Sequence, residues 1–185
     1  DAGCGEGYYS CRIVAGGYTV FGADLSKSAI DHAAKTARVM ANASGVSSAF
    51  FAVSGLFDLP VADASFDAVV SIFAPVAEAE FLRVLKPGGY LILGAGRDHL
   101  MGLKQALYDR TYQNEERADL PAGMREISRE TVREEITVTG GEHVRALFSM
   151  TPYYWKTDVE GGERLRALDV LETEIKFDFL VYRKK

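Results

Sequence analysis

The sequence predicts an α/β fold built on an open, mostly parallel sheet, and three observations carry that prediction. A glycine-rich turn, Asp1-Ala2-Gly3-Cys4-Gly5-Glu6-Gly7-Tyr8, opens the chain and runs into a helical stretch. An apolar run, Tyr18 to Asp24, ends on a carboxylate nineteen residues after Gly5. Helical and strand-like segments then succeed one another in the order α, β, α, β, β, α, β, which requires parallel strands joined by right-handed crossovers.

Tyr8 to Ala15 reads as a helix and Tyr18 to Asp24 as the second strand. Ser26 is a good N-cap for the next helix, on which Ile30, Ala33, Ala34 and Ala37 fall on one face. Ser48 to Ser54 is a short buried strand. Phe66 to Phe73 is another, nearly all apolar as expected where both faces of a parallel sheet are covered. Glu78 to Leu85 makes a helix that stops before Lys86-Pro87-Gly88-Gly89, because Pro87 cannot continue it and the glycines turn the chain. Tyr90 to Ala95 returns as a strand.

Asp98 caps a helix carrying Leu100, Leu103 and Leu107 on one stripe, and the polar residues 110 to 129 read as loop. Val132, Ile136 and Val138 indicate a strand, and Val144, Leu147 and Phe148 a helix. Ile175, Phe177, Phe179 and Val181 indicate a final strand whose period-2 alternation marks an antiparallel or edge strand with one wet face. In a doubly wound fold a buried apolar strand precedes the glycine turn. None is there to read, so the sequence is expected to be a fragment from which the central first strand and anything before it are absent.

Glycines this closely spaced belong where a turn needs positive φ and a ligand approaches backbone N–H groups without a Cβ in the way. The following helix presents its N-terminus to that ligand, and a carboxylate roughly 20 residues on receives the ribose hydroxyls. Asp24 fits that role. The dinucleotide fingerprint G-x-G-x-x-G would need glycine at position 8, where this chain has Tyr8. Asp1 and Glu6 would repel a pyrophosphate, but they suit the ammonium and sulfonium groups of S-adenosylmethionine.

The expected cofactor residues are therefore Asp1, Gly3, Gly5, Glu6 and Gly7 in the turn, and Asp24 with Leu25 after the second strand. Ser54, Gly55 and Leu56 follow the third strand, at the rim where the adenine should lie. No acidic residue stands there, so backbone or Ser54 must receive the adenine amino group. A simple turn is the competing reading of Ser54 and Leu56.

Ser71-Ile72-Phe73-Ala74-Pro75 ends the fourth strand, which faces the methyl group in this fold. The Asn/Asp-Pro-Pro-aromatic pattern of methyltransferases that modify exocyclic amines is absent. Phe73 and Pro75 can still stack on a base and shape a rim, with a core role as the alternative for Phe73. His32 and His143 read as solvated. His99 opens a helix at the carboxyl edge of the sheet, where ligands bind, and an ordinary helix-start residue is its alternative. Met150-Thr151-Pro152-Tyr153-Tyr154-Trp155 places three aromatics on a loop, either to stack on an extruded base or to plug the sheet edge.

At 185 residues the chain is one domain by length and buries ~70% of the surface its unfolded form exposes, so neither disulfide nor metal is needed. Cys4 and Cys11 imply neither a disulfide framework nor a zinc cluster, and they suit a reducing cytoplasm. No apolar stretch approaches the ~20 residues of a membrane span. Residues 1–96 carry 6 basic and 9 acidic side chains, and residues 97–185 carry 15 and 17, which gives the net −5 and announces no polyanionic partner.

Six stretches together carry a resemblance. They are Asp1 to Ser10, Phe21 to Lys27, Ile72-Phe73-Ala74-Pro75, Arg83 to Gly89, Arg97-Asp98-His99-Leu100-Met101 with Leu103-Lys104, and Met150 to Trp155. The chain resembles the bacterial 23S ribosomal RNA (guanine-N1)-methyltransferases along its whole length. The glycine turn and Lys86-Pro87-Gly88-Gly89 are common to many methyltransferases, whereas the His-Leu-Met and Met-Thr-Pro-aromatic stretches are far more specific. The resemblance implies a Rossmann-like class I methyltransferase fold, mostly parallel with an antiparallel C-terminal strand, over residues 1–185. It implies methylation of N1 of a guanine in a 23S rRNA hairpin loop, with S-adenosylmethionine held by Gly5, Glu6 and His99. Phe73, Pro75, Tyr153, Tyr154 and Trp155 are the candidate RNA contacts. Zinc belongs, in the family, to a cysteine-rich module ahead of the catalytic domain, and no metal is expected in these residues.

Reaction at N1 needs the nitrogen lone pair aligned behind the methyl carbon and the N1 proton removed. Glu80 and Asp98 are conceivable bases, with a helix-surface carboxylate and an N-cap as their plainer readings. Two other functions share the same cofactor core: methyl transfer to a metabolite or quinone precursor, and a non-catalytic S-adenosylmethionine-binding module. Neither the particular guanine nor the oligomeric state, with a homodimer as one candidate, can be read from the sequence.

Overall fold

The structure is a computed structural model that describes residues 1–44, 48–96, 99–109 and 122–185. It divides into two compact units, one of Asp1–Ala95, Asp119–Arg129 and Phe179–Lys185, the other of Gly96–Ala118 and Glu130–Asp178.

In the first unit the predicted order appears as α1 (Tyr8–Ala15), β1 (Val20–Asp24), α2 (Lys27–Ser44), β2 (Ala49–Val53), β3 (Phe66–Ile72), α3 (Glu78–Val84) and β4 (Leu85–Ala95). Ser26 caps α2 as its sequence suggests, its Oγ accepting the Ala29 amide at 3.3 Å. Ile30 and Ala33 are buried on the inner face of α2, but Ala34 is exposed. β1 and β2 pair in parallel from Val20↔Ala49 to Asp24↔Val53. β3 and β4 pair in parallel from Ala68↔Tyr90 to Ile72↔Gly94. Asp1 and Ala2 lie between the two pairs: Ala2 bridges Ala23 in parallel, and its amide donates to the Val70 carbonyl at 2.7 Å. A cavity of about 680 Å³ continues between β1 and β3, lined by Phe21, Phe66, Val69 and Tyr90 among others.

Two strand expectations need correction. β2 is not buried, since Phe50 is 59% exposed, and in β3 Asp67 and Ala68 are exposed. α3 also ends one residue early, because buried Leu85 pairs with Phe66 and already belongs to β4. The pairing then jumps from Phe66↔Leu85 to Ala68↔Tyr90, so Lys86-Pro87-Gly88-Gly89 is a bulge within β4, with Gly88 at φ 76°. The proline and glycines do bend the chain, but inside a strand. The core of this unit gathers Phe81, Val84, Leu85, Leu91 and Met124, each fully buried and worth about 1.5–3 kcal/mol by transfer from water.

In the second unit are α4 (Met101–Leu107), α5 (Gly141–Ser149), a 3-10 turn (Pro152–Trp155) and α6 (Val159–Arg166). Leu103, Leu107, Val144 and Leu165 form its core. Asp98 lies outside the described residues; α4 starts at Met101, after Leu100 in the left-handed region at φ 56°. The aromatic stretch is a 3-10 turn where a loop was expected, and α6 was not expected at all. Asp158 caps α6 by accepting the Gly161 amide at 2.8 Å. A Cβ on Gly161 would collide with the Leu107 carbonyl, so that glycine lets α6 close against α4.

β5 (Met124–Thr139) and β6 (Val170–Lys184) contribute residues to both units, and a four-stranded sheet has the order β3-β4-β6-β5. Residues 124–129 are therefore strand and not loop, while 110–121 lie outside the described residues. Thr131 bonds Asp178 and Arg133 pairs with Glu174, so partners descend on β6 as they ascend on β5 and the two are antiparallel. Ile175, Phe177, Phe179 and Val181 are partly buried, and the alternate face is not wet as expected, since Lys176 and Asp178 are partly buried and Leu180 and Tyr182 are buried. No helix among the described residues is long and apolar enough to cross a membrane.

Candidate cofactor and acceptor site

The glycine turn is built by three positive-φ glycines, Gly3 at 77°, Gly5 at 52° and Gly7 at 81°, but they do different work. A Cβ on Gly3 would overlap the Cβ of Ala74, and one on Gly7 would stand 2.8 Å from the Cβ of Ala33. Those two glycines let the turn press against the end of β3 and α1 press against α2. Gly5 is the exception, with nothing within 4 Å of where its Cβ would be. Its backbone borders open space, and a side chain would fill that space. Of the three, Gly3 and Gly7 are spent on packing the turn, and Gly5 alone borders open space.

Asp24 fastens this arrangement. Its Oδ2 accepts the Gly5 amide at 2.9 Å and its Oδ1 accepts the Ser26 amide at 2.8 Å. Each oxygen retains a second lone pair, so the carboxylate can tie the turn to β1 and still receive hydroxyls. Asp1 accepts the hydroxyl of fully buried Ser10 at 2.6 Å, and Glu6 is exposed on the turn. Three carboxylates thus border the glycine backbone, a setting that favours a cationic ligand over an anionic one.

At the end of β2, the Ser54 amide donates to the Asp24 carbonyl at 3.0 Å, which keeps the ends of β1 and β2 together. The Ser54 hydroxyl donates to the carbonyls of Gly55 at 3.0 Å and Asp58 at 3.2 Å, leaving its lone pairs as acceptors. Leu25 is 77% exposed and its side chain lies beside Gly55. Leu56 differs from expectation, since it is buried in the core against Gly3 and offers no side-chain surface.

Phe73 and Pro75 are exposed at the carboxyl end of β3, so the core reading of Phe73 does not hold. Glu80 is no base. Arg83 clamps it with two hydrogen bonds of 2.9 and 2.6 Å and the Leu59 amide adds a third of 2.7 Å, holding its carboxyl down to about 2. Arg83 also binds Asp63 and the carbonyls of Val61 and Leu59, so the pair pins the 59–63 segment to α3. Cys4 and Cys11 are unbridged and buried. Burial, then the charge of Asp24, pushes the Cys4 thiol up to about 11. No group of metal-binding side chains occurs among the described residues.

The second unit holds the remaining candidates. His99 stacks at 4.4 Å on Phe177, and its Nδ1 is sealed from water without a hydrogen-bond partner. Burial lowers its pKa from the ordinary histidine value. Tyr153 is part-buried beside the fully buried Lys104, whose ammonium lies 5.5 Å from the ring centre. Tyr154 and Trp155 are 47% and 84% exposed and meet edge to face at 5.0 Å. The plug reading therefore fails for Trp155. His32 and His143 are exposed as expected.

Sequence reasoning missed the parts of Ser10 and Ala74, which orient Asp1 and Gly3, and it named Ser26 as a cap without its amide's bond to Asp24. Small residues gave no indication of partner.

Residues 1–93 match the family described as methyltransferase domain. A Bacillus subtilis protein, YxjB, named provisionally as a 23S rRNA (guanine-N1)-methyltransferase, is 30% identical over 194 residues, covering 100% of this chain and 66% of its own. The malonyl-[acyl-carrier protein] O-methyltransferase of Erwinia pyrifoliae is 38% identical over 99 residues, covering 50% of this chain and 34% of its own. The chain thus spans less than two thirds of either relative. Among solved structures, MccD protein superposes with a TM-score of 0.63 at 18% identity, over 100% of this chain and 88% of that one. The YcgJ protein of Bacillus subtilis gives 0.63 at 16% identity, over 100% and 90%. Both likenesses establish the Rossmann-like fold.

Proposed function

Since the chain belongs to the methyltransferase domain family, we propose that it transfers a methyl group from S-adenosylmethionine to N1 of a guanine in a hairpin loop of 23S rRNA. The observation that carries the cofactor half is the open space beside Gly5, whose amide donates to Asp24 at 2.9 Å. Gly5, Asp24, Leu25, Ser54 and Gly55 would hold the nucleoside, with Asp1 and Glu6 near its cationic part. The cofactor, when bound, supplies an electrophilic methyl group. The chain's own part is to hold the acceptor in line, to exclude water and to favour the deprotonated N1.

The acceptor half is supported by the YxjB likeness, which runs along the whole of this chain, and by the exposed Tyr154 and Trp155, which offer flat faces to unpaired bases. Such an enzyme works in the cytoplasm on its RNA. The Erwinia relative supports a second reading, methyl transfer to the carboxyl group of a carrier-bound aliphatic acid. Incubation with labelled S-adenosylmethionine and either unmodified 23S rRNA or a malonyl thioester separates the two. Label in RNA supports the first reading, and label in the thioester the second.

A further inference from the structure

β2 and β5 lie at the outer ends of their sheets, and the sequence guards them unequally. β5 carries charge at Arg125, Glu126, Arg129, Glu130, Arg133 and Glu134, which discourages a further strand from pairing with it. β2 has no such guard. The chain carries no charged side chain from Val39 to Phe57, and β2 with its flanks reads Ser48-Ala49-Phe50-Phe51-Ala52-Val53-Ser54. Among the described residues β2 pairs with β1 alone, and Phe50 and Val53 are 59% and 52% exposed. An uncharged, exposed edge of this kind is a template for another strand.

The ladder to β1 shows which backbone groups of β2 turn away from it. The Val20 amide donates to the Ser48 carbonyl at 2.7 Å, and the Ser54 amide donates to the Asp24 carbonyl at 3.0 Å. Bonding residues alternate along a parallel ladder, so Ser48, Phe50, Ala52 and Ser54 direct their backbone groups to β1, while Ala49, Phe51 and Val53 direct theirs outward.

We propose that β2 pairs antiparallel with β2 of a second copy of this chain, about a two-fold axis at Phe51. An axis normal to the sheet reverses the strand and keeps its faces, so Ala49 meets the partner's Val53, Phe51 the partner's Phe51 and Val53 the partner's Ala49. All three are residues with outward backbone groups. Each such pair exchanges both of its N–H···O bonds, about six in all, and moving the axis one residue either way leaves only two such pairs within Ala49–Val53. The side chains suit the same register. Phe50 lies opposite the partner's Ala52, large against small, and diagonal to the partner's Phe50 at roughly 7–8 Å, a gap that aromatic rings can close. The exposed ring is thereby covered, and no like charges meet. A ladder this short buries less than the ~1,600 Å² of a standard interface, so the dimer forms reversibly.

Sedimentation velocity tests the pairing. The chain should run as a monomer at about 10 µM and shift toward a dimer by about 500 µM. Two substitutions should abolish that shift. Phe50→Lys sets like charges across the axis, and Ala49→Pro removes an outward N–H at the first residue of the strand, where proline leaves the ladder to β1 intact. Both should stay monomeric at about 500 µM and, at about 10 µM, melt within about 2 °C of the unsubstituted chain. Register is read by mixing a Phe50→Cys chain with an Ala52→Cys chain. Oxidation should link the mixture at least about fivefold faster than either chain alone, because opposed residues reach disulfide distance and diagonal ones do not. That cross-link decides the matter if Phe50→Lys or Ala49→Pro unfolds the chain. A chain that stays monomeric at about 500 µM overturns the proposal and leaves the edge to another occupant. So does a dimer that survives both substitutions, since it forms through another surface, and so does a mixture that links no faster than its components.

Discussion

Replacing Asp24 by Ala removes two acceptors that the structure uses and those the cofactor would use. The Gly5 amide, part-buried at 2.9 Å, loses its partner, whereas the exposed Ser26 amide can turn to water. The fold should therefore lose about 1–2 kcal/mol, mainly at Gly5, and melt roughly 2–8 °C lower for a chain of this size. Binding should suffer more. One hydrogen bond to a charged acceptor is worth ~1.5–3 kcal/mol, so the cofactor Kd should rise roughly tenfold to 150-fold. Asp24→Asn should fall between, because its carbonyl oxygen serves one amide while its NH2 opposes the other. Calorimetry well below the melting point separates the two effects. An Ala variant that melts early but binds S-adenosylmethionine within twofold of the original would leave Asp24 a structural tether and refute its role toward ribose.

Gly3→Ala should cost several degrees in melting temperature, because its Cβ would overlap Ala74 in addition to its positive φ, whereas Gly5→Ala, strained only by its φ of 52°, should cost about 1–2 kcal/mol and most cofactor affinity; paired melts and titrations check both. Glu80, held down to about 2 by Arg83, adds stability that is complete above its ordinary value of 4.5 and disappears as pH falls from there toward 2. Glu80→Gln should therefore melt lower at pH 7 and converge with the original chain near pH 2, and parallel melting curves across that range would contradict the clamp. Cys4 and Cys11, buried and with thiol pKa values raised, should resist alkylation at pH 8 until the chain unfolds, as mass spectrometry of labelled protein would reveal. Trp155→Ala should change stability by about 0.5 kcal/mol or less, given its 84% exposure, yet slow RNA methylation. A large drop in melting temperature with normal turnover would make it architecture.

The first unit was legible because each of its signals is local. Tyr8–Ala15 lies between a glycine turn and Gly16-Gly17, Ser26 is followed by an apolar helical face, and the apolar runs of β1 and β3 have few other uses. Asp24 was found by spacing alone. What escaped depends on distant contacts. Gly161 and Gly162 argue against a helix in any local reading, and α6 makes sense once Gly161 is seen against the Leu107 carbonyl. Residues 124–129 are polar because that end of β5 is largely exposed, so no alternation betrays it. Gly3, Gly5 and Gly7 look alike in sequence, and their neighbours Ala74, open space and Ala33 tell them apart. Likewise Glu80 looked like a solvated helix carboxylate until Arg83, three residues on, folded back over it.

The central claim is tested most directly by nucleoside analysis of unmodified 23S rRNA after incubation with the chain and methyl-labelled S-adenosylmethionine. The account predicts label in N1-methylguanosine at a single hairpin-loop position, reduced in Asp24→Ala at limiting cofactor. Label that appears in a malonyl thioester with none in the RNA would contradict it.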